Sequence, residues 1–456
     1  MRARASLVAC ILCAPLLCVA QPQPASPPAD APQSGSPQGP LDAIKDLFDR
    51  VFSPSPPDAQ RASPRTAPAA PAAAPAAPAA ALNTTAPAGA DNTDATAMPP
   101  EAAPAATVNP LAPAQTPVEP ASPIPAPSTA SPVAPPVLAG IALLLPAKSS
   151  AFGRAGEIAR LGFMAARGVA SDKPEVTMID TDGTAQGVAA AYEQAVAKHV
   201  AVIVGPLTKL EVGGLMALRM QVPTLALNTP DGEPKMPANL FALSLNIEGE
   251  ARAAADATFS TSAPAAVIVT TSAALARRAA AAFQDAWTRL GGSMKETIEF
   301  TGSLSRIRQS VERARADVVF LAADAERARL LRPYLGRNAT VVGTSQVFAG
   351  ARKGKANKAH DLNGLRFVDM PWLHQPDHAA AMVYPRPASA LSADLDRLYA
   401  LGIDAFRVAQ EMIKARTDFE IDGVTGNLQV RQGVIGRAPL MVEFRDGVVA
   451  PVRAGR

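Results

Sequence analysis

The stretch Ile141-Ala142-Leu143-Leu144-Leu145 is a continuous apolar run, and Val200-Ala201-Val202-Ile203-Val204 is a second one that ends at Gly205-Pro206. A strand that is buried on both faces of a parallel sheet reads as such a run rather than as an alternating pattern. An amphipathic helix over 153–169 follows the first run. Short apolar strands and helices alternate in this way as far as residue 343. The alternation predicts parallel sheets with right-handed crossovers.

The strand–helix alternation occurs twice, because it restarts after Ile247. Two successive runs of this kind predict an α/β fold with two doubly wound parallel-sheet lobes and a cleft between them, within residues 137–456. Ligands in such folds bind at the carboxyl ends of the strands. We expect the first lobe to contain about 137–246 plus about 347–420, and the second about 247–346 plus about 421–456.

The N-terminus has the features of a secretion signal. A basic region, Arg2 to Arg4, precedes the apolar stretch 6–19, and small residues lead to Ala20. This pattern predicts cleavage after Ala20 and export to the periplasm. The alternative is an outer-membrane lipoprotein, because Leu7-Val8-Ala9-Cys10 fits the pattern that precedes a lipidated cysteine. Cleavage after Ala20 removes all three cysteines of the chain, Cys10, Cys13 and Cys18.

Residues 21–136 are mostly alanine, proline, serine and threonine, so we expect a disordered linker. An extended proline-rich chain of this length reaches on the order of 100 Å or more. A short amphipathic helix is predicted within it over 40–52. This helix either recognises a partner or a membrane, or it rests on the folded domain. Its apolar face includes Leu41, Ile44, Leu47, Phe48 and Phe52.

Charge and composition argue against a nucleic-acid partner and against a transmembrane helix in the mature chain. The chain has 456 residues, a formal net charge of +3, and 18% charged residues. Nucleic-acid binding needs a concentrated basic surface, so we expect no nucleic-acid partner. After the N-terminus there is no uninterrupted apolar run of the roughly 20 residues that a transmembrane helix requires.

The most specific motif lies late in the chain, where Asp361-Leu362-Asn363-Gly364 is followed by Asp369-Met370-Pro371-Trp372. With Pro223-Thr224-Leu225-Ala226-Leu227-Asn228 and Gly426-Asn427-Leu428, this motif makes residues 137–456 resemble the LppC/LpoA family of penicillin-binding protein activators. The resemblance implies a type 1 periplasmic-binding-protein-like fold. It also implies a non-enzymatic activator or adaptor that binds a bifunctional penicillin-binding protein, a peptidoglycan synthase.

The resemblance has departures, and it leaves an alternative function open. The chain has the proline-rich segment where longer family members have a helical-repeat half, and the stretch before Cys10 is shorter than a usual lipoprotein signal. Peptidoglycan itself is a second expected partner. The alternative is a periplasmic solute receptor for an amino-acid-like or peptidoglycan-derived ligand.

Motifs of catalysis are missing from the sequence. There is no Ser-x-x-Lys, Lys-Thr-Gly or Gly-x-Ser-x-Gly motif and no phosphate-binding loop. His374 and His378 have the spacing of metal ligands on a helix, but Pro376 lies between them and no third ligand is apparent. We therefore expect no enzyme activity, no cofactor and no metal site.

Polar residues follow several predicted strands and are the candidates for a ligand cleft. Hydroxyl groups and backbone amides at helix N-termini suit the carboxylate of an amino acid or a stem peptide. The alternative is that they are ordinary helix caps. The candidates are Ser149, Ser150, Phe152, Thr208, Lys209, Asn228 and Thr229 in the first lobe, and Thr271, Asp324 and Ser345 in the second.

Two further features are candidate partner contacts. A basic stretch that includes Arg352, Lys353 and Lys355 suits anionic peptidoglycan or lipid headgroups, although such a run is also typical of a solvated loop. Trp372 lies at an apolar corner and is predicted either as an exposed anchor for a partner or as packing between the lobe and its crossover.

Overall fold

The computed structural model describes most of residues 140–452. The residues outside the description are 1–139, 231, 233, 261–263, 351–358, 432–433 and 453–456. The predicted signal peptide, the linker and the helix over 40–52 therefore lie outside the described residues. The same holds for the candidate contacts Leu41, Ile44, Leu47, Phe48, Phe52, Arg352, Lys353 and Lys355.

The first lobe is built on a five-stranded, fully parallel sheet with the order β2-β1-β3-β4-β5. Its central strands are buried on both faces, which explains their continuous apolar sequences. The elements are β1 (Ile141–Leu145), α1 (Gly153–Val169), β2 (Val176–Asp180), α2 (Ala185–Ala197), β3 (Val202–Val204), α3 (Lys209–Met216), β4 (Thr224–Ala226) and β5 (Leu240–Ala242).

The second lobe begins with α4 and contains a seven-stranded sheet. Its elements are α4 (Ile247–Thr258), β6 (Ala265–Thr270), α5 (Ala274–Arg289), β7 (Ser293–Glu299), α6 (Leu304–Ala314), β8 (Val318–Ala322), α7 (Ala325–Leu331), β9 (Thr340–Gly343), β10 (Leu365–Asp369), β14 (Leu440–Arg445) and β15 (Val448–Pro451). The order is β15-β14-β10-β9-β8-β6-β7. Strands β6 to β10 are parallel, and β14 and β15 add an antiparallel pair at one edge.

The chain returns to the first lobe after β10. The elements there are α8 (Pro371–His374), α9 (Ala379–Met382), α10 (Ala393–Ile413), β11 (Phe419–Asp422), β12 (Asn427–Arg431) and β13 (Val434–Ala438). Side chains of α8 to α10 and of the antiparallel sheet β11-β12-β13 pack into one core with β1, β3 and α1. None of the helices in the described ranges is both long enough and apolar enough to cross a membrane.

The predicted α/β class with two doubly wound lobes is confirmed, but the division of the chain between the lobes differs from the expectation. Residues 365–369 were expected in the first lobe, yet β10 pairs with β9 and β14 of the second. Residues 421–438 were expected in the second lobe, yet their apolar side chains join the first core. Long-range strand pairing, rather than local pattern, decides which sheet receives a strand.

Helix α10 lies against α1 at unusually short range. A Cβ atom on Gly162 of α1 would overlap the carbonyl oxygen of Tyr399, and one on Gly402 of α10 would overlap that of Ala159. Each helix therefore presents a glycine to the backbone of the other. Phe163 and Phe406 complete the contact edge to face, with ring centroids 5.2 Å apart. Helix α10 is thereby fixed to α1, the first helix of the described residues.

Candidate functional site at the strand ends and the lobe junction

The loop after β1 contains three predicted cleft residues, and one of them supports the entry into α1. The Oγ of Ser149 accepts a hydrogen bond from the backbone N–H of Phe152 at 3.3 Å. Phe152 is half-buried and packs against the first core, whereas Ser150 is exposed. The hydrogen bond within the loop and the packing of Phe152 therefore fix the conformation of this loop.

The loop after β3 ends at Thr208, and Lys209 is the first residue of α3; both residues are buried. Thr208 caps α3: its Oγ1 accepts from the backbone N–H of Glu211, and the Glu211 carboxylate accepts from the backbone N–H of Thr208. Glu211 also accepts from the hydroxyls of Thr208 and Thr181. Burial raises the pKa of Glu211, and these hydrogen bonds offset only part of the rise. Thr208 thus acts as a helix cap in this structure.

Asn228 joins the loops that follow β3, β4 and β5. Its Nδ2 donates to the carbonyl oxygen of Leu207 at 3.0 Å, and its Oδ1 accepts from the backbone N–H of Thr229 at 3.0 Å. The hydroxyl of Ser244 donates to the same oxygen at 3.4 Å. Because Asn228 is fully buried, these bonds satisfy its amide and hold three loops at one edge of the sheet.

The strand ends of the second lobe surround a pocket of about 370 Å³, open mouth included. It lies between the carboxyl ends of β6 and β8, where the strand order reverses. Its lining is mostly alanine and aliphatic, with Asp324, Thr344 and Gln346 as polar members. Asp324 caps α7 by accepting from the backbone N–H of Arg327 at 2.9 Å. Thr271 accepts from the backbone N–H of Ala273 at 3.4 Å.

A buried ion cluster lies where the two lobes meet, and Arg397 is its centre. Arg397 is on α10 of the first lobe and Asp369 is at the end of β10 of the second. The Nε of Arg397 donates to Oδ1 of Asp369 at 3.1 Å, and its Nη2 donates to Oδ2 at 2.8 Å. Nη2 also donates to the carbonyl oxygens of Ser345 and Phe348, at 3.0 and 3.2 Å. Nη1 donates to Asp394 at 2.7 Å.

A second ion pair crosses the same junction. Nη2 of Arg437, on β13, lies 3.2 Å from Oε1 of Glu250, on α4. The other carboxylate oxygen of Glu250 accepts from the backbone N–H of Ser345 at 3.0 Å. Ser345, predicted as a cleft residue, is buried and therefore belongs to this junction. The first lobe contributes the cations, Arg397 and Arg437, and the second lobe contributes the anions, Asp369 and Glu250. The junction is therefore a charged interface between the two lobes of one chain.

The titration of the junction reflects this pairing. Burial would raise the pKa of Asp369, but the charge of Arg397 and the hydrogen bonds from His374 and Arg397 outweigh it and lower the pKa to about 2. Burial raises the pKa of Glu250, because Arg437 and Arg397 compensate only part of the lost hydration. Asp369 is therefore ionised at any physiological pH.

Trp372 is not an exposed anchor, because its side chain is fully buried. The ring packs beside Tyr399, with centroids 5.5 Å apart, and the guanidinium of Arg386 lies 3.6 Å from the ring centroid. Arg386 also donates to the carbonyl oxygen of Trp372 at 2.7 Å. The Asp-Met-Pro-Trp motif thus has a structural role: Asp369 joins the lobes, and Trp372 anchors the crossover in the first core.

The two histidines of the predicted metal spacing have separate partners. Nε2 of His374 lies 2.9 Å from Oδ2 of Asp369, and Nε2 of His378 lies 3.4 Å from Oδ1 of Asp422. Within the described part of the chain, no three histidine, cysteine or acidic side chains are grouped as metal ligands.

Sequence reasoning did not single out Arg397, Glu250 or Arg437. The available indication was the position of Arg397 beside apolar residues at helical spacing, namely Ala393, Ala400 and Leu401. A charged residue in such a helix needs a buried partner. The sequence offered no means of identifying that partner as Asp369, 28 residues away.

Comparison with protein families gives a match over most of the described region. The family model described as "LppC putative lipoprotein" matches residues 136–315 and 302–447. A Yersinia pseudotuberculosis protein named "Penicillin-binding protein activator LpoA" is 26% identical over 330 residues, which cover 61% of this chain and 50% of that protein. One from Haemophilus ducreyi with the same name is 27% identical over 328 residues, covering 69% and 54%. The chain thus spans about half the length of the curated relatives it matches.

Two solved structures are similar along their whole length. One is a Chromobacterium violaceum protein described as a putative branched-chain amino acid ABC transporter, with 36% identity, a TM-score of 0.59, and coverage of 66% of this chain and 99% of that one. The other is the LpoA (YraM) C-domain from Haemophilus influenzae, described as a regulator of PBP1A. It has 21% identity, a TM-score of 0.58, and coverage of 69% and 100%. At that identity the second likeness shows the fold.

Proposed function

Because the chain belongs to the LppC family of putative lipoproteins, we propose that it is a non-enzymatic activator of a bifunctional penicillin-binding protein and acts by protein–protein binding. The observation that carries the proposal is the family match over residues 136–447, together with curated relatives named as penicillin-binding protein activators. The partner is a peptidoglycan synthase, and the folded two-lobed domain provides the surface that binds it.

The use of polar groups at the strand ends supports a binding role over a catalytic one. Thr208 and Asp324 cap helices, Asn228 ties loops together, and Ser345 is held in the lobe junction. A catalytic centre needs a nucleophile or base held within reach of a substrate. The side chains of Thr208, Asp324 and Asn228 instead bond to backbone groups of this chain, which suits a scaffold that positions a surface.

A candidate contact surface for the synthase is the exposed apolar pair Met382 and Val383, at the end of α9. Their exposed fractions are 67% and 58%, and they are consecutive in the chain. The next residue, Tyr384, is half-buried against the first core and fixes the segment. Adjacent exposed apolar side chains on a supported segment are typical of a protein-binding site. Met382 and Val383 were not singled out from the sequence.

The test combines the full chain with a purified bifunctional penicillin-binding protein of the same organism. We expect direct binding and faster glycan polymerisation or peptide cross-linking by the synthase. The double variant Met382→Ser with Val383→Ser should bind the synthase at least about tenfold more weakly, as hot-spot truncations do. Val434→Ser is the matched control, because Val434 is 69% exposed but lies on β13. Absence of both binding and stimulation would refute the proposed activation.

The second candidate function is solute binding, and it rests on the 36% identical structure described as a putative amino acid transporter component. The pocket between the carboxyl ends of β6 and β8 is the place in this structure where such a solute would bind. A receptor is stabilised by its ligand in proportion to the logarithm of ligand concentration over Kd. A series of free amino acids and stem peptides should therefore raise the melting temperature of a receptor, whereas an activator should melt at the same temperature with each of them.

We place the protein in the periplasm, either free or anchored to the outer membrane. The N-terminal sequence pattern supports export, and the family description supports a lipid anchor. Metabolic labelling with a radioactive fatty acid distinguishes the two states. Label that is present in the wild type and lost in Cys10→Ser would identify Cys10 as the lipidated residue. An unlabelled mature chain without cysteine would identify cleavage after Ala20.

A further inference from the structure

A second charged region lies at the edge of the second lobe where the parallel strands begin, opposite the strand ends that face the lobe junction. Arg315 precedes β8, and Arg337 precedes β9, its neighbour in the sheet. Both side chains are exposed, and neither forms an ion pair or a hydrogen bond with any other residue that the structure describes. Arg332 reaches the same edge from the end of α7.

The side chain of Arg332 is held in place by contacts with the backbone at this edge. Its Nη1 donates to the carbonyl oxygen of Gly336 at 3.1 Å, and its guanidinium lies against Gly364, at the start of β10. Its Nε is buried without a hydrogen-bond partner among the described residues. Burial and the neighbouring charge of Arg337 lower the pKa of Arg332. The fold therefore holds two guanidinium groups near each other and leaves a donor of one of them unsatisfied.

Most carboxylates at this edge are bonded elsewhere. Within the described ranges, Asp446 is the exposed acid of this edge that has no partner. The other acids have partners. Asp361 pairs with Arg329 at 3.0 Å, and Glu443 pairs with Arg445 at 3.0 Å and with Arg366 at 3.6 Å. Asp317 accepts a hydrogen bond from the backbone N–H of Ala265 at 2.8 Å. Arg315, Arg332 and Arg337 thus lack a carboxylate partner among the described residues, and the repulsion between Arg332 and Arg337 persists until an anion joins them.

We propose that Arg315, Arg332 and Arg337 form a binding site for the carboxylates of a peptidoglycan strand. Guanidinium groups bind carboxylates in a planar, bidentate manner, and two neighbouring ones fit a polymer whose stem peptides repeat that group. The choice of this polymer rests on the proposed function, which places the protein beside a peptidoglycan synthase. The arginine cluster itself is independent of that function.

The loops that carry the cluster, 315–317, 336–339 and 363–364, contain none of the exposed large apolar side chains that a membrane-inserting surface presents. Leu330 on α7 and Val448 on β15 are exposed apolar side chains at the same edge. Binding to a membrane surface is therefore an outcome that the experiment must separate from binding to a carboxylated polymer. The basic segment 351–358 lies outside the described residues and is not included in the proposed site.

Co-sedimentation of the full chain with purified, insoluble peptidoglycan sacculi tests the proposal. We expect binding that weakens at high ionic strength and that is lost when the sacculus carboxylates are converted to amides. Arg337→Gln and Arg315→Gln should each weaken binding about tenfold, the effect expected for one charge-assisted contact. Arg416→Gln is the control, because it removes one exposed arginine from the first lobe, where Arg416 pairs with Glu411.

The outcomes separate this site from the proposed function. No sedimentation with sacculi, equal sedimentation with amidated sacculi, or an equal loss with Arg416→Gln would overturn the site. Binding to vesicles of anionic phospholipid instead of sacculi would overturn the assignment of the polymer. A chain that activates the synthase but ignores sacculi would refute this inference alone, whereas sacculus binding without activation would refute the proposed function alone.

Discussion

Replacing Arg397 with methionine should destabilise the protein by about 3–5 kcal/mol, the range expected when one partner of a buried ion pair is removed. Methionine keeps much of the length of the side chain in a site that is fully enclosed. It removes every hydrogen bond that the guanidinium makes across the lobe junction, to Asp369, Ser345 and Phe348. Asp369 would remain buried without its cation.

The magnitude follows from the contacts. Arg397 and His374 hold the pKa of Asp369 at about 2, against an ordinary value of 3.8. A shift of nearly two units corresponds to about 2 kcal/mol of preference for the charged form. Each carbonyl that loses its donor costs on the order of 1 kcal/mol more. The contributions together fall within the range for breaking a buried pair.

The assay is urea denaturation of the full chain, wild type and variant, at pH values between 4 and 7. In the wild type the depressed pKa of Asp369 gives a contribution that is complete above about pH 4 and is lost only as the pH falls through about 2. In the variant, His374 still lowers the pKa of Asp369, but the charge and hydrogen bonds of Arg397 no longer oppose burial, so the pKa rises. The variant should therefore recover stability as the pH falls from 7 to 4, because Asp369 takes up a proton.

Two results would refute this reasoning. A loss below about 1 kcal/mol would mean that the junction is not a buried ion pair in energetic terms. A full loss without recovery at low pH would mean that the uncompensated charge of Asp369 is not its cause. Arg416→Met is the control, because its exposed ion pair with Glu411 should contribute less than about 1 kcal/mol.

Two further predictions concern the first lobe. Gly162→Ala should lower the free energy of unfolding by about 3 kcal/mol, because its Cβ would overlap the carbonyl oxygen of Tyr399 and separate α1 from α10. The control is Gly168→Ala on the same helix, whose Cβ would meet nothing within 4 Å and which should be neutral or stabilising. Equal melting temperatures for the two variants would contradict this prediction. Glu211→Gln should flatten the pH dependence of the urea midpoint above the ordinary glutamate pKa of 4.5. The raised pKa of Glu211 favours the wild type at low pH and costs it stability as the pH rises through that pKa, so an unchanged slope would count against a buried charge.

The parallel strands and their helices were predictable because local sequence determines them. Ile141–Leu145 and Gly153–Val169 have the predicted bounds, since a run of apolar residues makes the strand and an apolar stripe makes the helix. The assignment of β10 and of residues 421–438 to a lobe was not predictable in this way. It depends on pairing with strands far away in the chain, and the apolar pattern of a strand is the same in either sheet.

The candidate site was predictable only in part. Strand-end residues such as Thr208 and Asn228 lie where the fold predicts them, because the carboxyl ends of parallel strands meet at one edge. Whether such a residue caps a helix or contacts a ligand depends on neighbours that the sequence does not reveal. Trp372 illustrates the same limit, because the apolar corner that suggested an anchor is equally the sequence of a buried crossover.

The packing of α1 against α10 constrains the order in which the protein is completed. The two helices are separated by more than half of the described chain, and the whole parallel sheet of the second lobe lies between them in sequence. The second lobe in turn receives β14 and β15 from the last residues described. A chain synthesised from its N-terminus therefore leaves one core cluster in each lobe incomplete until its C-terminal end arrives. A premature stop before residue 393 would deprive both lobes at once, and proteolysis of the truncated product is the expected fate.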